Sequence, residues 1–380
     1  MTRRGLLALP FLALVFALGR SVGNVLYDML FYLLLLLFVF SGLSALQLKL
    51  TGRVQVSLSE REVRRGESVD IDVRVRQRCF FPAGGCDLQF QYGYEKQRTQ
   101  MRLRPFREDR MRITVTAVHV GRWVYSVEYA EGQDLFGLFR VRLRPKDHPF
   151  LLVLPRPFDV EKPEFLFSDQ GRTARSRGQE DLTSPEAVRT WRPGDPLKRV
   201  HWKLSARRQE LQVRTYETPA PPDTLILMDI CAPEAQRTED ALILRDVLCE
   251  TCDAVADMQL RDASPVRIPF YERGAGEFRA DTPSRALLLQ ETLASLSFSG
   301  TYDFEKALLM ELQRLETCGA VIIVTTRMTP GIADAVNSIR RMGPSVRYYY
   351  VSHQPDEERL RPMITGMQRQ LVEVCYVTPA

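Results

Sequence analysis

The chain of 380 residues has only four histidines, His119, His148, His201 and His353, and they lie far apart. It contains no H-E-x-x-H zinc motif and no G-x-x-x-x-G-K-[ST] phosphate loop. These absences remove the commonest zinc-hydrolase and nucleotide-hydrolysing designs, which need those residues at those spacings. No catalytic set is expected, and no cofactor. Disulfide architecture is also missing. Seven cysteines, Cys79, Cys86, Cys231, Cys249, Cys252, Cys318 and Cys375, are odd in number and follow no framework. Free thiols in a reducing compartment account for them. Only Cys249 and Cys252 have C-x-x-C spacing, and with no second pair they make no zinc site.

Disorder is excluded too, because 45% of the residues are hydrophobic and 26% are charged. The length exceeds one hydrophobic core and points to two or three folded units. The net charge of +5 is unevenly spread. Residues 53–155 have a surplus of six positive charges and residues 171–220 a surplus of five, whereas residues 223–380 have a deficit of seven. A basic middle and an acidic end imply different surfaces with different partners. Beside a membrane segment, the natural counter-surface for the basic part is anionic lipid. Nucleic acid is not expected as a partner.

The membrane segment is N-terminal. Leu6–Leu18 is apolar and contains Pro10; Arg20, Ser21, Gly23 and Asn24 interrupt it; Val25–Leu48 is apolar apart from Asp28 and a few small or polar residues. The second run is long enough to cross a bilayer, which takes about 20 helical residues. A two-helix hairpin over residues 1–50 is favoured, with a single span and an interfacial first helix as the alternative. Arg3 and Arg4 precede the first run, and Lys49 and Arg53 follow the second. Positive outer flanks place both ends in the cytoplasm. Asp28 is expected at the opposite interface.

From Arg53 the period becomes two. Val54, Val56 and Leu58, then Val69, Ile71, Val73 and Val75, alternate with polar residues, and the Arg64–Glu67 turn separates them. Further strands are expected at 88–94, 111–120 and 122–130, the last two joined through Gly121 as a meander. A β-sandwich-like domain over residues 51–155 follows. The aromatics of Asp134-Leu-Phe-Gly-Leu-Phe139 are expected under its edge.

From Asp223 strands and helices alternate. Strands are expected at 224–229, 266–271, 320–325, 346–351 and 371–377, and helices at 238–260, 284–296, 302–315, 332–341 and 357–370. This pattern predicts an α/β domain over residues 223–380 with a parallel sheet, whose ligands would sit at the carboxyl ends of the strands.

Residues 156–222 hold the most informative stretch, Arg189 to Glu217. Pro193-Gly194-Asp195-Pro196 reads as a turn. Val200, Trp202 and Leu204 alternate, as do Leu211 and Val213, so two strands joined by a short loop are expected. Arg192, Lys198, Arg199, Lys203, Arg207 and Arg208 would project from them. Three uses fit: a solvated basic ribbon with Trp191 and Trp202 packed inward, a docking surface for an acidic partner, or a nucleic-acid surface.

The run Arg189, Arg192, Pro193, Gly194, Asp195, His201, Trp202, Lys203, Ala206 and Arg207 resembles the signature of the DUF58 family. Asp134–Phe139 and Val153-Leu154-Pro155 are similar to its D-x-F-G-L-F and V-x-P elements. The resemblance implies membrane helices, a β-rich segment, a von Willebrand factor A-like domain, no enzymatic activity and a MoxR-type AAA+ ATPase as partner. A von Willebrand A domain holds its metal with D-x-S-x-S, a Thr and a later Asp. Here the first element is Asp229-Ile230-Cys231-Ala232-Pro233, Thr301 could supply the Thr, and Thr325-Thr326-Arg327 has no Asp. Mg²⁺ wants more oxygen ligands than Asp229 and Thr301 offer, so no metal is expected. The function implied is a membrane-anchored adaptor or scaffold for assembly or maturation of a membrane or envelope complex. The alternative is a metal-dependent adhesion module completed at Asp229 by a ligand carboxylate.

Overall fold

The structure, a computed structural model, describes residues 2–77, 83–93, 95–104, 107–158, 185–192, 200–216, 223–271, 276–298, 303–315, 318–354 and 358–379. The chain divides into two compact units. One comprises Met1–Arg156 with Leu293–Ser295, and the other Pro157–Thr292 with Leu296–Ala380.

The first unit begins with two helices, α1 (Arg3–Val22) and α2 (Val25–Thr51), each long and apolar enough to cross a membrane. Gly23 turns the chain between them at φ 65°, a left-handed conformation that glycine adopts without a Cβ penalty. Asn24 then caps α2 by accepting from the Leu26 amide at 3.0 Å. Leu6, Leu7, Phe11, Leu14, Leu33 and Leu36 are exposed on the pair, an apolar surface that suits lipid. Asp28 is exposed near the turn.

Two sheets follow and share one core. In the first, β1 (Arg53–Leu58), β3 (Ser68–Arg76) and β6 (Glu108–Thr116) pair antiparallel in the order β1-β3-β6. In the second, β2 (Glu62–Arg64), β9 (Phe150–Leu154), β7 (Gly121–Asp134), β4 (Ala83–Tyr92) and β5 (Glu95–Arg102) lie in that order, and β8 (Arg140–Leu143) pairs with β7. The alternating valines are buried as their period requires: Val69, Ile71, Val73 and Val75 face Leu88, Phe90, Val127 and Leu151 in the same cluster. Full burial of such a side chain contributes about 1.5–3 kcal/mol. The Gly121 break differs from expectation. β6 and β7 belong to different sheets, so the chain crosses the core there instead of forming a meander. Local periodicity carries no information about which sheet a strand joins.

Leu48 of α2 is also in this core. A Cβ on Gly132 of β7 would collide with Leu48 Cδ2, so the missing side chain admits the helix. The helical pair is thereby continuous with the β-rich fold through packed side chains.

In the second unit a six-stranded sheet runs β14 (Glu277–Ala280), β13 (Val266–Pro269), β12 (Asp223–Met228), β15 (Cys318–Thr325), β16 (Ser345–Val351), β17 (Glu373–Val377). Every pairing is parallel except the antiparallel edge β14–β13. The helices are α4 (Thr238–Arg261), α5 (Ala286–Ser295), α6 (Phe304–Glu311), α7 (Pro330–Arg341) and α8 (Arg361–Arg369). The expected alternation and parallel sheet are present; β14 was not anticipated. The chain leaves β12 toward β13 and later returns to β12's other side as β15. The carboxyl ends of β12 and β15 therefore form a topological switch point, where ligands sit in open α/β sheets.

A separate two-stranded ribbon precedes this sheet. It consists of β10 (Pro185–Thr190) and β11 (Gln212–Tyr216), antiparallel, with α3 (Trp202–Arg208) between them in sequence.

Candidate functional site

The switch point is filled by the chain's own groups. Asp229, 1% exposed, follows β12. Its Oδ1 accepts from the Cys231 amide at 3.0 Å and from Arg327 Nη2 at 2.8 Å. Its Oδ2 accepts from Thr325 Oγ1 at 2.7 Å and Arg327 Nε at 3.0 Å. This is a two-pronged guanidinium–carboxylate pair, the strong form of a charge-assisted hydrogen bond. The Arg327 carbonyl accepts from Tyr348 Oη at 2.5 Å, which fixes the loop behind the guanidinium. Burial opposes the Arg327 charge, but the bonds and charge of Asp229 outweigh it and raise the Arg327 pKa. An internal guanidinium thus occupies both carboxylate oxygens of Asp229. Cys231 has its thiol pushed up by burial and by Asp229, against the opposing charge of Arg327, so it is a poor ligand. Thr301 lies outside the described residues. Among the described residues, no group of three or more His, Cys, Asp or Glu is placed to hold a metal.

Cys249 and Cys252 are fully buried in α4, and burial raises both thiols far above their ordinary range. They stay protonated, unlike the thiolates that metals and redox chemistry require. The sequence's one G-x-S-x-G string, Gly19–Gly23, ends α1, and Ser21 Oγ donates to the Ala17 carbonyl at 2.9 Å. It is a helix terminus and not the strand-to-helix elbow of a hydrolase nucleophile.

The ribbon differs from its expected form. Val200 bridges to Val213, but Trp202–Arg208 is helix where a strand was expected. His201 caps it, with Nδ1 accepting from the Leu204 amide at 3.2 Å. The alternation of Val200, Trp202 and Leu204 spans too few residues to exclude one helical turn, and the cap decides. Ser205 locks the helix to β11: its Oγ accepts from the Gln212 amide at 2.8 Å and donates to the His201 carbonyl at 3.1 Å. The His201 amide donates to the Gln212 carbonyl at 2.8 Å, and the Trp191 amide to the Leu211 carbonyl at 2.7 Å. Gln209 ends the helix at φ 56°.

This frame presents one side of a short helix to solvent. Trp202 is 64% exposed, which goes against the one of the three readings that packed it inward, and Lys203, Ala206, Arg207 and Arg208 are exposed with it. Trp202 and Ala206 are four residues apart, as are Lys203 and Arg207, so each pair shares a helix face. Arg192 is exposed beyond β10. Arg189 lies on β10 opposite Val213 in register. Pro193, Gly194, Asp195, Lys198 and Arg199 lie outside the described residues.

Residues 187–271 match the family model DUF58, a protein of unknown function. The matched segment runs from the ribbon through α3, β12, Asp229 and α4 to just past β13, so both sites lie wholly or partly within it. No curated protein matches the chain. Among solved structures, a CARDB domain from Pyrococcus furiosus in complex with di-metal ions is similar at 12% identity and TM-score 0.22, covering 27% of this chain and 94% of that one. Spo0M, a sporulation control protein of Bacillus subtilis, is similar at 19% identity and TM-score 0.18, covering 28% of this chain and 51% of that one. Cwp6 from Clostridium difficile is similar at 9% identity and TM-score 0.20, covering 86% of this chain and 53% of that one. At such TM-scores these likenesses carry no argument about fold or activity.

The Ser205 lock and the Arg327 pair were not legible as partners in the sequence. Ser205 is one serine among basic residues. Arg327 is 98 positions from Asp229, and only the two strand ends in parallel bring them together.

Proposed function

We propose that this chain is a membrane-anchored, non-enzymatic adaptor whose cytoplasmic head docks a MoxR-type AAA+ ATPase during assembly or maturation of a membrane or envelope complex. The observation that carries the reading is Trp202, held exposed on a helix that Ser205 ties to the ribbon. A tryptophan on a backbone that is already fixed, beside Lys203 and Arg207, is the kind of group that dominates protein interfaces, because little backbone ordering entropy is lost on binding. The partner surface that fits is apolar at its centre and acidic around it. The parallel sheet and its helices are read as von Willebrand factor A-like, with the Asp229 edge serving structure. The Arg327 guanidinium on Asp229 speaks against the adhesion alternative, since Mg²⁺ would have to displace it.

Full-length protein, solubilised in detergent from its native cell, should co-purify with an AAA+ ATPase identified by mass spectrometry. Trp202→Ala should reduce that recovery at least tenfold, about 1.4 kcal/mol, while leaving the melting temperature unchanged. Recovery of no AAA+ ATPase by the parent chain would refute the adaptor reading. Equal recovery by Trp202→Ala would move the contact elsewhere.

A further inference from the structure

Asp134–Phe139, which links β7 to β8, was expected to pack its aromatics under the β-rich fold. It turns instead toward the membrane helices. Phe139 packs on Phe38 of α2 with ring centroids 5.4 Å apart and the rings tilted at 59°, and Asp134 accepts a hydrogen bond from Ser41 Oγ. Thr2, the cap of α1, donates from its hydroxyl to the Gly137 carbonyl at 2.7 Å and from its amide to the Leu138 carbonyl at 3.0 Å. Both helices thus grip the same turn.

Ser41 is sixteen residues beyond the start of α2, which places it about 24 Å down that helix at 1.5 Å per residue. The hydrocarbon layer is about 30 Å thick. With the start of α2 at the far edge of that layer, a turn bonded at Ser41 and packed on Phe38 reaches the depth of the near leaflet. Its polar groups are arranged accordingly. Asp134, 3% exposed, accepts from the Phe136 amide at 3.1 Å and the Phe139 amide at 2.6 Å. The Gly137 amide donates to the Asp134 carbonyl at 3.1 Å, and the Asp134 amide to the Phe139 carbonyl at 3.3 Å. Irregular backbone survives at membrane depth only when its N–H and C=O groups are satisfied within the protein. The side chains left outside are Leu135, 52% exposed, and Phe136, 42% exposed. Arg3, Arg4, Lys49 and Arg140 are exposed on the neighbouring segments, the flank that anionic headgroups favour.

We propose that the Asp134–Phe139 turn is a third membrane contact, with Leu135 and Phe136 seated among the acyl chains of the leaflet nearest the β-rich fold. The inference rests on the membrane-anchor reading, and its test separates the two. Phe136→Trp and Phe31→Trp variants of the full chain are reconstituted into vesicles of phosphatidylcholine and phosphatidylglycerol brominated either high or low on the acyl chain. Quenching beyond that of the parent chain's own tryptophans is measured. Phe136→Trp should be quenched by the high-brominated lipid more than by the low-brominated one, and Phe31→Trp by bromine at one depth or the other. Quenching of Phe31→Trp alone would overturn the third contact and leave the anchor standing. Quenching of neither would overturn both.

Discussion

Asp134 and Asp229 are both buried carboxylates at a strand's end, one in each unit, yet they are held in different ways. Asp134 is held by two backbone amides and a serine hydroxyl, with no cation bonded to it among the described residues. Asp229 is held by a two-pronged guanidinium, with an amide and a hydroxyl beside it. The first arrangement organises a turn and secures it to a helix. The second closes the switch point with the chain's own charges. The comparison teaches that a strand-end aspartate is not evidence of a ligand site until its donors have been counted.

The largest effect is expected at the charge pair. Arg327→Met leaves Asp229 buried and unpaired, and because Arg327 is partly exposed the cost falls at the low end for such losses, about 3 kcal/mol. Denaturant unfolding would measure it. Asp229→Asn added to Arg327→Met should return part of that loss, since the orphaned charge is gone; an undiminished loss in the double variant would mean that the arginine acts by packing alone. Next comes Asp134→Ala, which strips partners from the Phe136 and Phe139 amides and should cost about 2 kcal/mol, read as a lower melting temperature of the first unit in detergent. Overcrowding at Gly132 follows. Gly132→Val places a side chain against Leu48 and should cost about 1–2 kcal/mol in the same melt, leaving the second unit unchanged. The smallest effect belongs to an exposed ion pair. The hydrogen bond from Lys96 at 2.8 Å lowers the Glu128 carboxyl pKa. Its contribution is therefore present above the ordinary carboxylate range and lost as the pH falls through the lowered value. Lys96→Ala should remove that slight acid dependence from a melting-temperature profile and alter little else.

Much of the architecture was legible because periodicity reports burial. The valines of β1 and β3 and the apolar run of β15 sit in cores as their patterns require. Short edge elements were not legible. β14 contributes four residues, alternately exposed and buried, too few for a pattern to stand out. The turn of α3 was misread because Val200, Trp202 and Leu204 fit a strand as well as one turn of helix, and the deciding bonds come from His201 and Ser205. Of the site itself, the exposed basic groups were foreseen from charge and motif. The exposure of Trp202 was left open between a ribbon with its tryptophans packed inward and a surface that presents them, because composition does not fix which way a side chain points. The role of Asp134 depended on Ser41, 93 residues away, and no local pattern links them.

Everything functional depends on which side of the bilayer the head occupies. A tag fused after Ala380 should resist protease added outside intact spheroplasts and be digested once they are lysed. Digestion in intact spheroplasts would contradict the cytoplasmic head, and the docking of a cytoplasmic ATPase with it.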